Sequence, residues 1–183
     1  GLLAAFAVVA FLMTIIAPEI VRILATDEYY EAIYIMPPIA AGVFLTSVTN
    51  MYSNVLIYYK KTKYIMISTV IAAATNVVMN YFGIKAFGYQ AAAYTTLFAY
   101  MIHALIQGVI STKVCRTITA DMTGEIYNSR VIIALAAFTI FGCLLCIPLY
   151  ENIRLRYAVV LIVLIGFFAF RKQLLKKLKL SKR

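Results

Sequence analysis

Six apolar runs separated by short charged turns constrain this chain more than any other feature of its sequence. A helix needs about 20 mostly apolar residues to cross roughly 30 Å of hydrocarbon. Runs of that kind occupy residues 1–17, 37–58, 64–83, 89–111 and 131–149. Pro18 and Glu19 are expected to end the first run, and Pro37 and Pro38 suit the first turn of the second. A sixth run has only 14 residues between Arg156 and Arg171, too few by themselves. It lengthens toward Ile153 if Arg154 and Arg156 snorkel their charged heads to an interface. Barrel strands would alternate apolar and polar residues. Runs such as VIIALAAFTIFGCLLCI are apolar on every side and must be helical to satisfy their own backbone in lipid. The expected fold is therefore all-α: a polytopic membrane protein with a bundle of six transmembrane helices. Its 183 residues would form one six-helix bundle carrying a basic cytoplasmic tail at 171–183.

Composition excludes the soluble alternatives. The chain is 64% hydrophobic and 13% charged, where soluble domains are about 45–50% apolar. Three cysteines imply no disulfide framework. The opening GLLAAFAVVA has neither Met nor a basic stretch, so it reads as the interior of a longer membrane protein and not as a cleavable signal.

The net charge of +10 invites a nucleic-acid reading, but its distribution favours another. One set of loops holds Lys60, Lys61 and Lys63, then Lys113, Arg116 and Arg130, then a tail that includes Arg171, Lys172, Lys176 and Lys177. Thirteen of the seventeen basic residues fall in this set. The alternate loops hold Arg22, Lys85, Arg154 and Arg156 with most of the acids. By the positive-inside rule the first set is cytoplasmic, which places both ends of the chain in the cytosol. Lysines just beyond a membrane helix anchor topology and touch anionic lipid, so the lipid bilayer is the expected partner and nucleic acid is not.

Polar residues inside the runs are the candidate site. The second run carries Asn50 and Asn54, the third Asn76 and Asn80, each pair inside T-N-x-x-x-N. Four-residue spacing places each pair on one helix face. The fourth run carries Thr96, Tyr100, His103 and Gln107 as a single stripe. Depth, at about 1.5 Å per residue, matches Asn50 with His103, Asn54 with Gln107, and Asn76 with the threonines at 95 and 96. Two readings of these stripes remain open: a substrate-lining face, or hydrogen-bonded glue between helices. His103, the only histidine, has the side chain that titrates nearest neutrality, yet packing explains it as readily as proton transfer.

Other groups offer less chemistry. Cys143 and Cys146 form a C-x-x-C inside an apolar run and read as small packing residues. Asp27 with Glu31, and Asp121 with Glu125, have helical spacing but no neighbouring His or Cys, so neither a metal site nor a cofactor is expected. No phosphate loop, nucleophile elbow or zinc motif occurs.

The stretch AAATNVVMNYFGIKAFGYQAAAYTTLFAYMIHAL resembles the N-x-x-x-N…G…AA…T segment of bacterial polysaccharide flippases, within the multidrug/oligosaccharidyl-lipid/polysaccharide exporter superfamily. APEIVRILATDEYYEAIYIMPPIA and NMYSNVLIYYKKTKYI are similar to that family's outer connection and basic cytoplasmic turn. The likeness covers about residues 15–110. It departs at Lys85, where the family often has Pro, and at Ala91, where it often has Gly. The resemblance implies the C-terminal half of a transporter whose two bundles rock around a central cavity. The missing N-terminal bundle and polysaccharide-assembly proteins would be its partners. The implied task, in the bacterial cytoplasmic membrane, is translocating polyprenyl-diphosphate-linked oligosaccharide by alternating access, without enzymatic chemistry. The family's cavity arginines lie largely in the missing half, so none is carried over.

Two alternatives stand beside the flippase. A cation-coupled multidrug exporter of the same superfamily would want an intramembrane carboxylate, and every acid here is expected in a loop. An integral-membrane glycan-modifying enzyme would need convergent ionisable groups at one interface.

Overall fold

In a computed structural model of the chain, described over residues 1–118, 127–159, 161, 162 and 165 with the side chains of 27 and 28 excepted, the described residues contain helices and no strand. Five long helices, α1 (Leu2–Leu24), α2 (Met36–Tyr58), α3 (Thr62–Phe87), α4 (Ala91–Ile118) and α5 (Ser129–Leu145), alternate in direction. A 3-10 stretch, Asp27–Ile35, links α1 to α2, and a 3-10 turn, Ile147–Glu151, follows α5. Residues 153–159 begin a further helix, α6. Five segments, Leu2–Leu24, Tyr29–Tyr58, Thr62–Phe87, Ala91–Ile118 and Ser129–Glu151, are long and apolar enough to cross a membrane. Of the sixth expected run only part is described. The tail with Arg171, Lys172, Lys176 and Lys177, and the acids Asp121 and Glu125, lie outside the described residues.

The helices begin and end on local chemistry. Pro37 and Pro38 occupy the first turn of α2, where a missing N–H costs nothing. Gly88, at φ +80°, ends α3 in a conformation that side chains avoid. Asn128 caps α5 by accepting from the Val131 N–H.

One expected boundary is corrected. α1 runs on through Pro18 and Glu19 to Leu24. Proline has no N–H to give the carbonyl four residues earlier, so the Thr14 carbonyl loses its helical partner. The Tyr150 hydroxyl, from the turn after α5, donates to that oxygen at 2.7 Å. Thr14 is itself buried and returns its hydroxyl to the Ala10 carbonyl at 2.9 Å. A neighbouring segment thus satisfies the gap that Pro18 makes, and the helix continues.

α2 is the central element, touching α1, α3, α4 and α5. Its most extensive seam is with α4, and the two helices exchange aromatic rings across it. Tyr100 of α4 lies over Gly42 of α2, and Tyr52 of α2 lies over Gly108 of α4. A third contact of the kind puts Phe11 of α1 over Gly142 of α5. Phe44, Leu45, Val48, Tyr52 and Leu97 fill the core that results.

The outward surface is apolar. Val43, Val70, Val77, Phe82, Phe138 and Phe141 are all exposed, compatible with an apolar surround.

A side chain at position 42 should not fit beneath Tyr100, because its Cβ would sit 2.8 Å from the ring. Gly42→Val is expected to cost about 1–3 kcal/mol through overpacking. It should lower the thermal midpoint of the detergent-solubilised protein, and Tyr100→Ala in the same chain should recover part of the loss.

Candidate functional site

The end of the bundle that carries Lys60, Lys61 and Lys63 opens into a cleft of about 810 Å³ between α1, α2 and α5. Its walls are apolar, with Leu3, Phe6, Met51, Ile132 and Leu135 among them. Ser47, Asn50 and Asn54 enter it from α2, and Tyr127 and Asn128 stand at its rim. Spacings of three and four put Ser47, Asn50 and Asn54 on one face of α2. Asn50 and Asn54 are exposed and make no side-chain hydrogen bond among the described residues. An apolar groove of about 230 Å³ continues between α1 and α2, and Phe6 and Ser47 line both spaces.

The remaining sequence-derived site residues sit elsewhere, at the seams of α4. Asn76 donates to Thr96 Oγ1 at 3.2 Å, the contact expected from depth. Asn80 donates to Asn76 at 2.6 Å and accepts from Thr95. Gln107, fully buried, accepts from Ser68 of α3 and donates to Ser53 of α2 at 2.6 Å. His103 Nε2 lies 3.4 Å from the Thr69 hydroxyl. Tyr100 packs on Gly42. Five of the eight residues therefore hydrogen-bond between or along α3 and α4, one packs, and two remain at the cleft.

The two inner pairings anticipated from depth do not form. Rotation about α2 decides the partner. With 3.6 residues per turn, each step turns the helix by about 100°. Tyr52 and Ser53 lie on the face that meets α4, so Ser53 reaches Gln107 in place of Asn54. Asn50 is likewise turned to the cleft, away from His103.

Ser53, Ser68 and Thr69 were missed as partners, and Thr95, anticipated for Asn76, pairs with Asn80. Ser68, Ala72, Asn76 and Asn80 recur at intervals of four, and that spacing is the signal that would have found Ser68. Cys143 and Cys146 are buried free thiols, consistent with packing. Lys60, Lys61 and Lys63 are exposed at the tight turn between α2 and α3, where Lys60 adopts φ +56°. No group of three or more His, Cys, Asp or Glu that could hold a metal occurs among the described residues.

A second correction concerns the acids. Glu19 lies inside α1, within a membrane-length segment, and not in a loop. It accepts from Arg156 and, at 2.9 Å, from the Tyr157 hydroxyl. Arg156, expected to snorkel outward, is 3% exposed. A guanidinium held by a carboxylate need not reach for water.

The two polar sets should respond differently to substitution. Gln107→Leu removes two interhelical bonds, to Ser53 and Ser68, each worth about 0.6 kcal/mol on average in membrane proteins. It is expected to lower the thermal midpoint in detergent. Asn50→Leu and Asn54→Leu, which break no internal bond, should leave that midpoint unchanged or raise it.

No protein-family model, curated protein or solved structure matches the chain.

Proposed function

We propose that this chain is the C-terminal six-helix half of a bacterial flippase. Its substrate would be polyprenyl-diphosphate-linked oligosaccharide, carried from the cytoplasmic to the outer leaflet. The observation that carries the reading is the cleft: two asparagines with no internal partner, on apolar walls, at the lysine-bearing end of the bundle. Unpaired amides facing a cleft are suited to the hydroxyls of a sugar, for which each amide offers both donors and an acceptor. The adjoining apolar groove suits the lipid portion of the same molecule. A polar sugar crosses hydrocarbon only inside a polar-lined space, while its lipid remains in an apolar one.

The positive-inside rule, applied to the basic turns, favours a cytosolic cleft mouth, the leaflet from which the proposed transport would start. On this reading the chain is a multi-pass protein of the cytoplasmic membrane. Its cleft faces the missing N-terminal bundle, and it performs transport without a covalent step. Switching between inward and outward access needs the substrate or an ion to bind the two states unequally.

Glu19 favours a second reading, since a carboxylate inside α1 is what a cation-coupled drug exporter would want. Its engagement by Arg156 and Tyr157 leaves it already neutralised, which keeps the flippase reading ahead.

Deleting the gene in its host should strand lipid-linked glycan on the cytoplasmic leaflet and deplete the cell surface of the polymer. Restoring the full-length protein with Asn50→Leu and Asn54→Leu together should return far less surface glycan than wild type, at unchanged protein level. Normal surface glycan in the deletion strain, with no redundant flippase present, would sink the reading.

A further inference from the structure

We propose that Glu19 and Arg156, with Tyr150 and Tyr157, form a releasable latch that closes the end of the bundle opposite the cleft, between α1 and α6. The inference rests only on the membrane-spanning part of the preceding reading, and it holds whatever the transported molecule is.

The described start of α6 meets α1 through charge. The seams among α1, α2, α4 and α5 are closed by rings on glycines, by the core behind them and, between α2 and α4, by the Ser53–Gln107 hydrogen bond. Over 153–159, Arg156 is the only buried residue, and Ile153, Leu155 and Tyr157 are exposed. The described start of α6 is thus held by a charge and two hydroxyl-bearing neighbours, not by apolar burial. Arg156 donates to Glu19 and lies 5.6 Å from the Tyr157 ring, while the Tyr157 hydroxyl donates to the same carboxylate oxygen.

Three features make the contact suited to release. The Glu19 side chain is 29% exposed against 4% for Arg156, so water can replace the guanidinium on the carboxylate. Arg156 Nε is buried with no hydrogen-bond partner, so the closed arrangement leaves one donor unsatisfied. Pro18, beside Glu19, interrupts the α1 hydrogen-bond ladder, and the freed Thr14 carbonyl is held only by the Tyr150 hydroxyl. Helices bend where their ladder is broken. The break in the ladder, the ion pair and the tyrosine clamp therefore fall within two turns of one helix.

The latch covers native reporters. Tyr150 belongs to the 3-10 turn Ile147–Glu151, which begins directly after Cys146. Cys146, at the start of that turn, is 5% exposed. Opening the latch would uncover Cys146; keeping it closed would not.

The experiment uses full-length protein in membranes, with Cys115→Ser and Cys143→Ala, any cysteines elsewhere in the protein replaced, and Cys146 retained. A membrane-impermeant maleimide is applied to intact cells and, separately, to inverted vesicles. Glu19→Gln and Arg156→Gln should each label Cys146 about tenfold faster or more, as expected when one partner of a buried charge pair is lost. The exchange of Glu19→Arg with Arg156→Glu should return labelling to within about twofold of the parent, because the attraction is restored. Faster labelling from either side supports the latch, and the side alone reports orientation. A wrong topology or a wrong substrate therefore leaves the result readable. Single variants labelled no faster than the parent, or an exchange no slower than the singles, would overturn it. If the charge variants fail to accumulate, Tyr150→Phe with Tyr157→Phe keeps the ion pair and removes both hydroxyl bonds. Labelling should then rise several-fold, and parental protection in that variant would overturn the latch.

Discussion

The close approach of α2 and α4 is the contact on which the rest of the bundle depends. α2 touches every other long helix, so its distance from α4 sets the frame for α1, α3 and α5. Two glycines permit that distance, each accepting a tyrosine ring from the opposite helix. Apolar side chains gain little by leaving lipid for one another, so helices in an apolar surround associate through close packing and hydrogen bonds. The Gly42–Tyr100 and Gly108–Tyr52 contacts supply the packing. The Ser53–Gln107–Ser68 chain, on the residues next to the Tyr52–Gly108 contact, supplies the hydrogen bonds and ties α3 into the same seam.

A second constraint is the need to satisfy every backbone group away from water. Pro18 leaves the Thr14 carbonyl without its helical donor, and Tyr150 answers from more than a hundred residues away in the chain. That single bond brings the end of α5 against α1. It also sets the 3-10 turn near Glu19, from which α6 departs toward its ion pair. Packing on Tyr34 reinforces the join, with ring centroids 6.2 Å apart. The end of the bundle opposite the lysines is therefore closed by polar and aromatic contacts. The lysine-bearing end is left open as a cleft.

Function follows from which polar residues the packing consumes. Asn76, Asn80, Thr96 and Gln107 spend their hydrogen bonds on neighbouring helices, and Tyr100 spends its ring on a glycine. Asn50 and Asn54 spend nothing internally. That leaves them as the groups able to meet a polar molecule in a cleft whose other walls are apolar.

Much of the fold was legible in the residues themselves. Apolar runs longer than a globular core needs located α1 to α5, and their polar interruptions located the turns. Four-residue spacing and depth gave the Asn76–Thr96 contact, because both act along a helix and can be counted. Rotation about the axis cannot be counted in the same way, since it depends on which neighbour a helix packs against. A turn of about 100° exchanged Asn54 for Ser53 as the partner of Gln107. The ends of helices were equally hidden: Pro18 and Glu19 look like a terminus until Tyr150 and Arg156 are brought to them. By itself, the sequence located the five long apolar helices and the lysine turn between α2 and α3, because both depend on local hydrophobicity and order along the chain. Tertiary structure alone decided which polar groups are consumed as partners and which remain free, because that depends on approach distances set by glycines and rings far apart in sequence.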